Sequence, residues 1–258
     1  MPVKILLTVA FLLVMMHNPM LLSAQDSTAT RDGNKLKTSD NSSPEGLTAK
    51  DVIDTYLKAI GGREKLKSVK DRTTIMLGDM MGQTLNIFIN QKAPNRLRQT
   101  IRSGEMKQTL IYDGKKGEMI LGDKKIKLEG KELDKLKADA EMNFLFNPAE
   151  YGVTLELTGI ENVDSTKCYK IAMSSEGGAK WDQFYSIESG LKIREDKEYE
   201  TPDTNLVQET YYSDYRDVDG LKFPFKLKQI FGLQSIDLTV ISIKINQGLE
   251  DIIFEIHD

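Results

Sequence analysis

Two histidines, one cysteine and a scatter of carboxylates are the side chains from which any chemistry in this chain must be built. His17 lies in an apolar N-terminal run and His257 stands next to the C-terminus, so a histidine metal site or a His-based nucleophilic triad is excluded. Cys168 is the one cysteine, so no internal disulfide can form, and its strand-like surroundings mark it as a small buried side chain. No Gly-x4-Gly-Lys-Ser/Thr loop and no Gly-x-Gly-x-x-Gly after a strand is present to cradle phosphates. Glu209 and Asp214 are one pair of acids that could face each other for general acid–base work. The plainer reading, that the acids are solvated, is preferred. The expectation is therefore no enzyme, no cofactor and no metal.

Two other groups are candidates for binding rather than catalysis. Arg96, Arg98 and Arg102 share one strand face that could meet an anionic head group or an acidic partner, although a solvated outer face is the plainer reading. Trp181, Tyr211, Tyr212, Tyr215, Phe223 and Phe225 read as core more readily than as a ligand box, and inside a hollow sheet the two readings merge. Met76, Met80 and Met81 cluster near Gly78 and Gly82, but Asp79 among them marks an exposed turn.

The elements that must position these residues are mostly strands. In Thr84–Asn90, Leu85, Ile87 and Ile89 alternate with polar residues, with Phe88 the one apolar residue on the polar side. Leu97 and Ile101 repeat the pattern opposite the arginines. Pro94-Asn95, Gly104 and Asp113-Gly114 mark the turns between successive strands. Strands are predicted at about 72–79, 84–91, 96–103, 106–113, 117–121 and 124–129, then at 153–159, 167–173, 179–187, 190–199, 205–215, 222–230 and 234–245. One apolar and one polar face along each means a core on one side and water on the other. Pro224 must sit at an edge or with its nitrogen turned outward. The switch of phase from Ile236, Leu238 and Val240 to Ile241, Ile243 and Ile245 predicts a bulge or bend.

Two helical pieces interrupt the strands. Thr48 is an N-cap candidate with Asp51 three residues on, Val52, Ile53, Tyr56, Leu57 and Ile60 share one face, and Gly61-Gly62 ends the helix. A further turn covers Arg63–Val69. Leu133, Leu136 and Ala140 fall at helical spacing in Lys131–Ala140, and Lys131–Phe146 is expected to form a mobile helical lid before the Asn147-Pro148 break.

Length and composition agree with one large β domain. The chain has 258 residues, 29% charged and 40% hydrophobic, the profile of a soluble globular protein. Its net charge of −4 becomes one unit more negative without the first 24 residues, whose one formal charge is Lys4, and this argues against nucleic acid. Lys4, the apolar run Ile5–Met16 and Ala24 before Gln25 describe a signal peptide cleaved near Ala24, with a run too short to span a bilayer. No cysteine follows that run to accept a lipid. The predicted organisation is a signal peptide at 1–24, a disordered Ser/Thr/Asp/Asn-rich linker at 25–46 and the folded domain at 47–258. The mature chain is expected to be a monomer in the periplasm with no stable membrane anchor.

The order of motifs is similar to that of a known family. A Lys92-Ala93-Pro94-Asn95 turn leads into Arg96-x-Arg98, a glycine turn, and a strand ending in Tyr112-Asp113-Gly114-Lys115. Ala59-Ile60-Gly61-Gly62-x-Glu64-Lys65-Leu66 opens the domain. Tyr215-x-x-Val218-Asp219-Gly220-Leu221-Lys222-Phe223-Pro224, Ile243-x-Ile245-Asn246 and Phe254 close it. From about Leu47 to Phe254 the chain resembles the LolA/LolB-like superfamily of periplasmic lipoprotein carriers, and in particular LolA-like domains of Bacteroidetes-type bacteria. Some of these are appended to insulinase-type zinc peptidases.

The resemblance implies a mainly β fold: one curved antiparallel sheet forming an incomplete barrel, with helices in its mouth and an apolar cavity for acyl chains. It implies a lipid, or the acyl chain of a lipoprotein, as ligand. The alternative function is a non-catalytic interaction module with a filled core, serving an envelope partner such as an insulinase-type peptidase. Candidates for the cavity lining are Leu85, Ile87, Leu97, Ile101, Phe223 and Phe225, with Leu133 and Leu136 on the lid. LolA carries a basic residue immediately before the turn proline, tied to lid closure and cargo release. Here that position is Ala93, and Lys92 one residue earlier belongs to the other face of a strand.

Overall fold

The computed structural model describes residues 45–80, 82–200 and 205–257. The predicted signal peptide and all but the last two residues of the predicted linker lie outside them. Among the described residues, no helix is long and apolar enough to cross a membrane.

Thirteen strands among the described residues form one antiparallel sheet: β1 (Asp71–Met80), β2 (Gln83–Lys92), β3 (Arg96–Ser103), β4 (Met106–Tyr112), β5 (Gly117–Leu121), β6 (Lys124–Leu128), β7 (Val153–Val163), β8 (Thr166–Ser175), β9 (Lys180–Ser186), β10 (Lys192–Glu200), β11 (Asn205–Val218), β12 (Leu221–Phe231) and β13 (Gln234–Ile245). Each stands where the alternation of the sequence places it, within a few residues at the ends. Strands consecutive in the chain are neighbours within each of two meanders. β1 to β6 run outward from the middle of the sheet, and β7 to β13 run back inward from its opposite edge. The meanders meet at the β1–β13 ladder, from Arg72 opposite Ile245 to Asp79 opposite Asp237. β6 and β7 are the two edges and do not pair, so the sheet is not a closed barrel.

The predicted irregularities have definite places. Ile75 pairs with Ser242 and Met76 with Val240, so Ile241 is the extra residue of a β-bulge and its side chain turns outward. β13 pairs with β12 only from Lys226 onward, so Pro224 lies where β12 has β11 as its sole neighbour.

Among the described residues three α-helices accompany the sheet: α1 (Ala49–Ala59), α2 (Arg63–Lys67) and α3 (Gly130–Ala140). α1 starts as the sequence requires. Asp51 N donates to Thr48 Oγ1 (3.2 Å) and Thr48 N donates to Asp51 Oδ2 (2.9 Å), a capping box that satisfies two orphan amides. The Thr48 hydroxyl, which donates to Asp51 Oδ2 (2.5 Å), and the Thr48 amide hold the Asp51 carboxyl below its ordinary pKa. Val52, Ile53 and Leu57 are buried against Val153, Ile171, Met173 and Tyr185 on β7–β9, each contributing roughly 1.5–3 kcal/mol of transfer energy.

α3 lies in the connection from β6 at one edge to β7 at the other, so the chain must cross the concave side between them. Leu136 and Ala140 are buried against Leu97, Tyr112, Met119 and Leu128. The helix comes so close to β5 that a Cβ on Gly117 would stand 2.8 Å from Leu136 Cδ2 and 3.1 Å from Leu133 Cδ1. Beyond it, Phe146 is held under the Arg63 guanidinium at 5.0 Å, and Arg63 Nη1 donates to its carbonyl (3.2 Å).

The arginine face is not simply solvated. The C-terminal segment folds back over it: Lys92 Nζ donates to Leu249 O (2.6 Å) and Asp251 Oδ1 (2.6 Å), Arg96 pairs with Asp251 (2.7 Å), and Arg98 Nη1 donates to Ile253 O (2.8 Å). The bonds from Lys92 and Arg96 hold the Asp251 carboxyl below its ordinary pKa. Arg102 instead lies over the ring of Phe88, which accounts for the one apolar residue on the polar side of β2.

Candidate functional site

Because successive side chains of a strand alternate, the concave face of the sheet collects Leu85, Ile87 and Ile89 from β2, Leu97 and Ile101 from β3, and Ile236, Leu238 and Val240 from β13. This apolar wall faces a second, polar one. On β9 to β11 the inward positions include Trp181, Gln183, Glu195, Lys197, Tyr199 and Gln208. Between the walls and beneath α3 is a cavity of about 330 Å³, lined by Met76, Ile87, Ile89, Leu110, Leu128, Leu136, Phe144, Trp181, Leu227 and Leu238 on its apolar side. That volume is at the low end for small-molecule sites, which run from roughly 300 to 1,000 Å³. Its polar groups come from Gln99, Gln183, Gln208, Gln229, Glu195 and Lys197, and also from Lys135, Asp139, Lys180, Glu198 and Tyr199.

α3 is tied to the polar wall by charge. Lys197 Nζ stands 2.9 Å from Asp139 Oδ1 on the helix and 3.7 Å from Glu195 Oε1, while Lys135 Nζ lies 4.5 Å from the centre of the Tyr199 ring. Burial alone would lower the Lys197 pKa, but Asp139 and Glu195 outweigh it and hold the ammonium firmly protonated. Burial alone would likewise push the Glu195 carboxyl up. The ammonium groups of Lys192 and Lys197 and the amide of Gln183 reverse that and bring it down to about 2. Lys192 Nζ is 3.1 Å from Glu195 Oε2, and Gln183 Nε2 donates to the same oxygen. Tyr185 donates to Gln183 Oε1, and Tyr199 donates to Gln208 Oε1 (3.1 Å). These groups are mutually satisfied and leave no free base poised for proton transfer among them.

The structure separates the eight sequence candidates into four places. Ile87 and Leu136 line the cavity. Leu85 and Ile101 lie in the packed cluster beside it with Ile236 and Leu238, and Phe225 packs against that cluster. Leu97 and Leu133 pack with α3 against β3–β6. Phe223 sits 5.2 Å from the Arg72 guanidinium, and Phe225 also lies 4.7 Å from that of Arg216.

Other sequence candidates are tied up elsewhere. Glu209 accepts from the Tyr211 hydroxyl (2.8 Å) and Asp214 accepts twice from Arg216 (3.0 and 2.6 Å), so they do not form an acid pair. Cys168 is fully buried, and burial pushes its thiol up to about 11, which makes it unreactive. Met76 is buried at the cavity. Met81 and the side chain of Met80 are not among the described parts, and Asp79 accepts from Gly82 N in an exposed turn. Among the described residues, no group of three or more His, Cys, Asp or Glu is arranged to hold a metal ion.

What the sequence reading missed is the polar wall. The signal was present in Lys192–Glu200, KIREDKEYE, a strand with scarcely an apolar residue in the middle of a large sheet. An interior strand with that composition must face polar groups, because it cannot supply an apolar core.

No family model matches the chain, and no curated protein matches it. Solved structures do. A LolA superfamily protein from Nitrosomonas europaea superposes with a TM-score of 0.57 at 14% identity, covering 81% of this chain and 98% of that one. A DUF1329 family protein from Desulfovibrio piger gives 0.54 at 14% identity, covering 80% and 97%. A domain assigned to the outer membrane lipoprotein-sorting proteins, from Vibrio parahaemolyticus, gives 0.52 at 8% identity, covering 78% and 97%. Curved open sheet, helix across the mouth and these superpositions agree: the chain has a LolA-like fold.

Proposed function

We propose that this protein is a periplasmic carrier that holds a lipid, or an acyl chain of a lipoprotein, in the cavity beneath α3. The observation that carries the reading is the cavity itself, a space of about 330 Å³ with an apolar wall on one side and a polar wall on the other. An interaction module with a filled core would have no such space. Each methylene brought into it is worth about 0.8 kcal/mol, so one chain is held tightly without any ionic anchor. The signal peptide predicted over residues 1–24 supports delivery across the inner membrane, and the fold is similar to that of a lipoprotein-sorting domain.

The hand-over of cargo differs from that of LolA. Lys92, the nearest basic residue before the turn proline, is occupied by Leu249 and Asp251 on the outer face and does not line the cavity. Release through a basic residue at this turn is therefore not part of the reading.

A fluorescent fatty-acid probe titrated into delipidated protein tests the proposal. Saturable binding with a stoichiometry near one is expected. A linear, non-saturating response with every chain length tried contradicts it.

A further inference from the structure

A guanidinium held on the inner face of a sheet is costly unless an acid or a ligand answers its charge. Arg72 points inward from β1, in the same phase as Met76 of the cavity, and is half-buried between Ile245 of β13 and Gln91 of β2. Among the described residues no carboxylate pairs with it. Its Nε (3.1 Å) and Nη2 both donate to Gln91 Oε1, and the guanidinium lies 5.2 Å from the centre of the Phe223 ring. Burial lowers its pKa, and Tyr56 is the one titratable group acting against that.

Other cations near the cavity are answered or exposed. Lys192 pairs with Glu195, and Lys197 with Asp139 and Glu195. Lys135 lies over the Tyr199 ring, while Lys180 and Glu198 border the cavity from exposed positions. A guanidinium has five N–H groups, of which Gln91 takes two. Arg72 Nη1 has no protein acceptor and is not among the sealed atoms that lack a partner, so it is open to solvent; the same holds for the Tyr56 hydroxyl of α1. Burial pushes the Tyr56 pKa up, and Lys192, Glu195 and Arg72 are the charges that act on it, so this hydroxyl stands in the field of both the polar wall and Arg72.

Arg72 is not part of the cavity lining but continues the same concave face. Gln91 is the next inward residue after Ile89, which does line the cavity, a step of roughly 7 Å along β2. We propose that Arg72, with the Tyr56 hydroxyl as a second donor, is a subsite for an anionic head group, carboxylate or phosphate, of an acyl ligand whose chain lies in the cavity. This rests on the carrier reading and narrows it: hydrocarbon supplies the affinity and Arg72 selects the head group. Two oxygens of either group match the fork of the guanidinium.

Trp181 is the one tryptophan of the chain and lines the cavity, so its emission reports binding directly. The delipidated full chain is titrated with oleate, 1-oleoylglycerol 3-phosphate and methyl oleate, which has the same chain and no charge, all below the concentrations at which they self-associate. One or both anions are expected to bind at least about tenfold more tightly than methyl oleate, the scale of a charge-assisted hydrogen bond. The tighter of the two tells carboxylate from phosphate. In Arg72→Met that advantage is expected to fall to within about twofold, with methyl oleate unchanged, and in Lys180→Met it is expected to persist. If the wild-type chain binds both anions no better than methyl oleate, the Arg72 subsite is overturned and the carrier stands, a result that needs no variant to fold. An advantage that survives in Arg72→Met, or that vanishes in Lys180→Met, also overturns it. If none of the three probes binds, the carrier reading itself has failed and the subsite falls with it.

Discussion

Leu227→Asp is expected to weaken acyl-probe binding by more than about 100-fold while the sheet remains folded. Leu227 is on the inward face of β12 and lines the cavity, but it is only partly buried, so an aspartate there keeps some access to water in the empty protein. An acyl chain entering the cavity would strip that water away and leave a carboxylate against hydrocarbon, at a cost of several kcal/mol. Every 1.4 kcal/mol is a factor of ten in affinity. Leu227→Met, nearly equal in volume and equally apolar, is expected to stay within a few-fold of wild type. Circular dichroism of both variants should match the parent. An aspartate variant that is folded and binds normally would place the ligand somewhere other than this cavity.

Acid should loosen the polar wall through Glu195. Its carboxyl is held at about 2 in the folded protein against an ordinary 4.5, and its side chain is 11% exposed. The unfolded chain therefore binds the proton more readily. Stability from this group is complete above about pH 5 and is lost as pH falls through about 2. At 1.36 kcal/mol per pH unit the contribution is about 3 kcal/mol. Glu195→Gln should lower stability at pH 7 by roughly 2–3 kcal/mol, since it leaves Lys192 and part of the charge on Lys197 unmatched. It should also flatten the decline in urea-unfolding free energy between pH 5 and pH 2. Parallel curves for the variant and the parent would show that Glu195 is not the group responsible.

The sheet was legible in the sequence because its information is local. Alternation at Leu85, Ile87 and Ile89 or at Ile236, Leu238 and Val240 fixes which side is buried, and a slip such as that at Ile241 appears directly as a change of phase. Thr48 and Asp51 announce the first helix in the same way. Pairing between distant strands leaves no such trace. Nothing in Arg72–Asp79 names Asp237–Ile245 as its partner, and nothing in Lys124–Leu128 says that it ends the sheet.

The cavity was harder to read for the same reason. Leu85, Ile87, Leu97 and Ile101 all read as inward residues. Which of them touch empty space and which touch Leu238 or Leu136 depends on strands and a helix far away in the chain. The arginine face was obscured likewise: Arg96 and Arg98 gain their partners from Asp251 and Ile253, more than a hundred residues on. The polar wall was the avoidable omission, since the composition of Lys192–Glu200 already contradicted an all-apolar interior.

The central claim is that the space beneath α3 holds an acyl ligand in the living cell. Its most direct test is mass spectrometry of the protein purified without detergent from its own periplasm. The account predicts a co-purifying acylated molecule at near-equimolar ratio, released by organic extraction and absent from Leu227→Asp purified in parallel. A wild-type protein that emerges free of any acyl species, or one that carries the same lipid load as the variant, would contradict it.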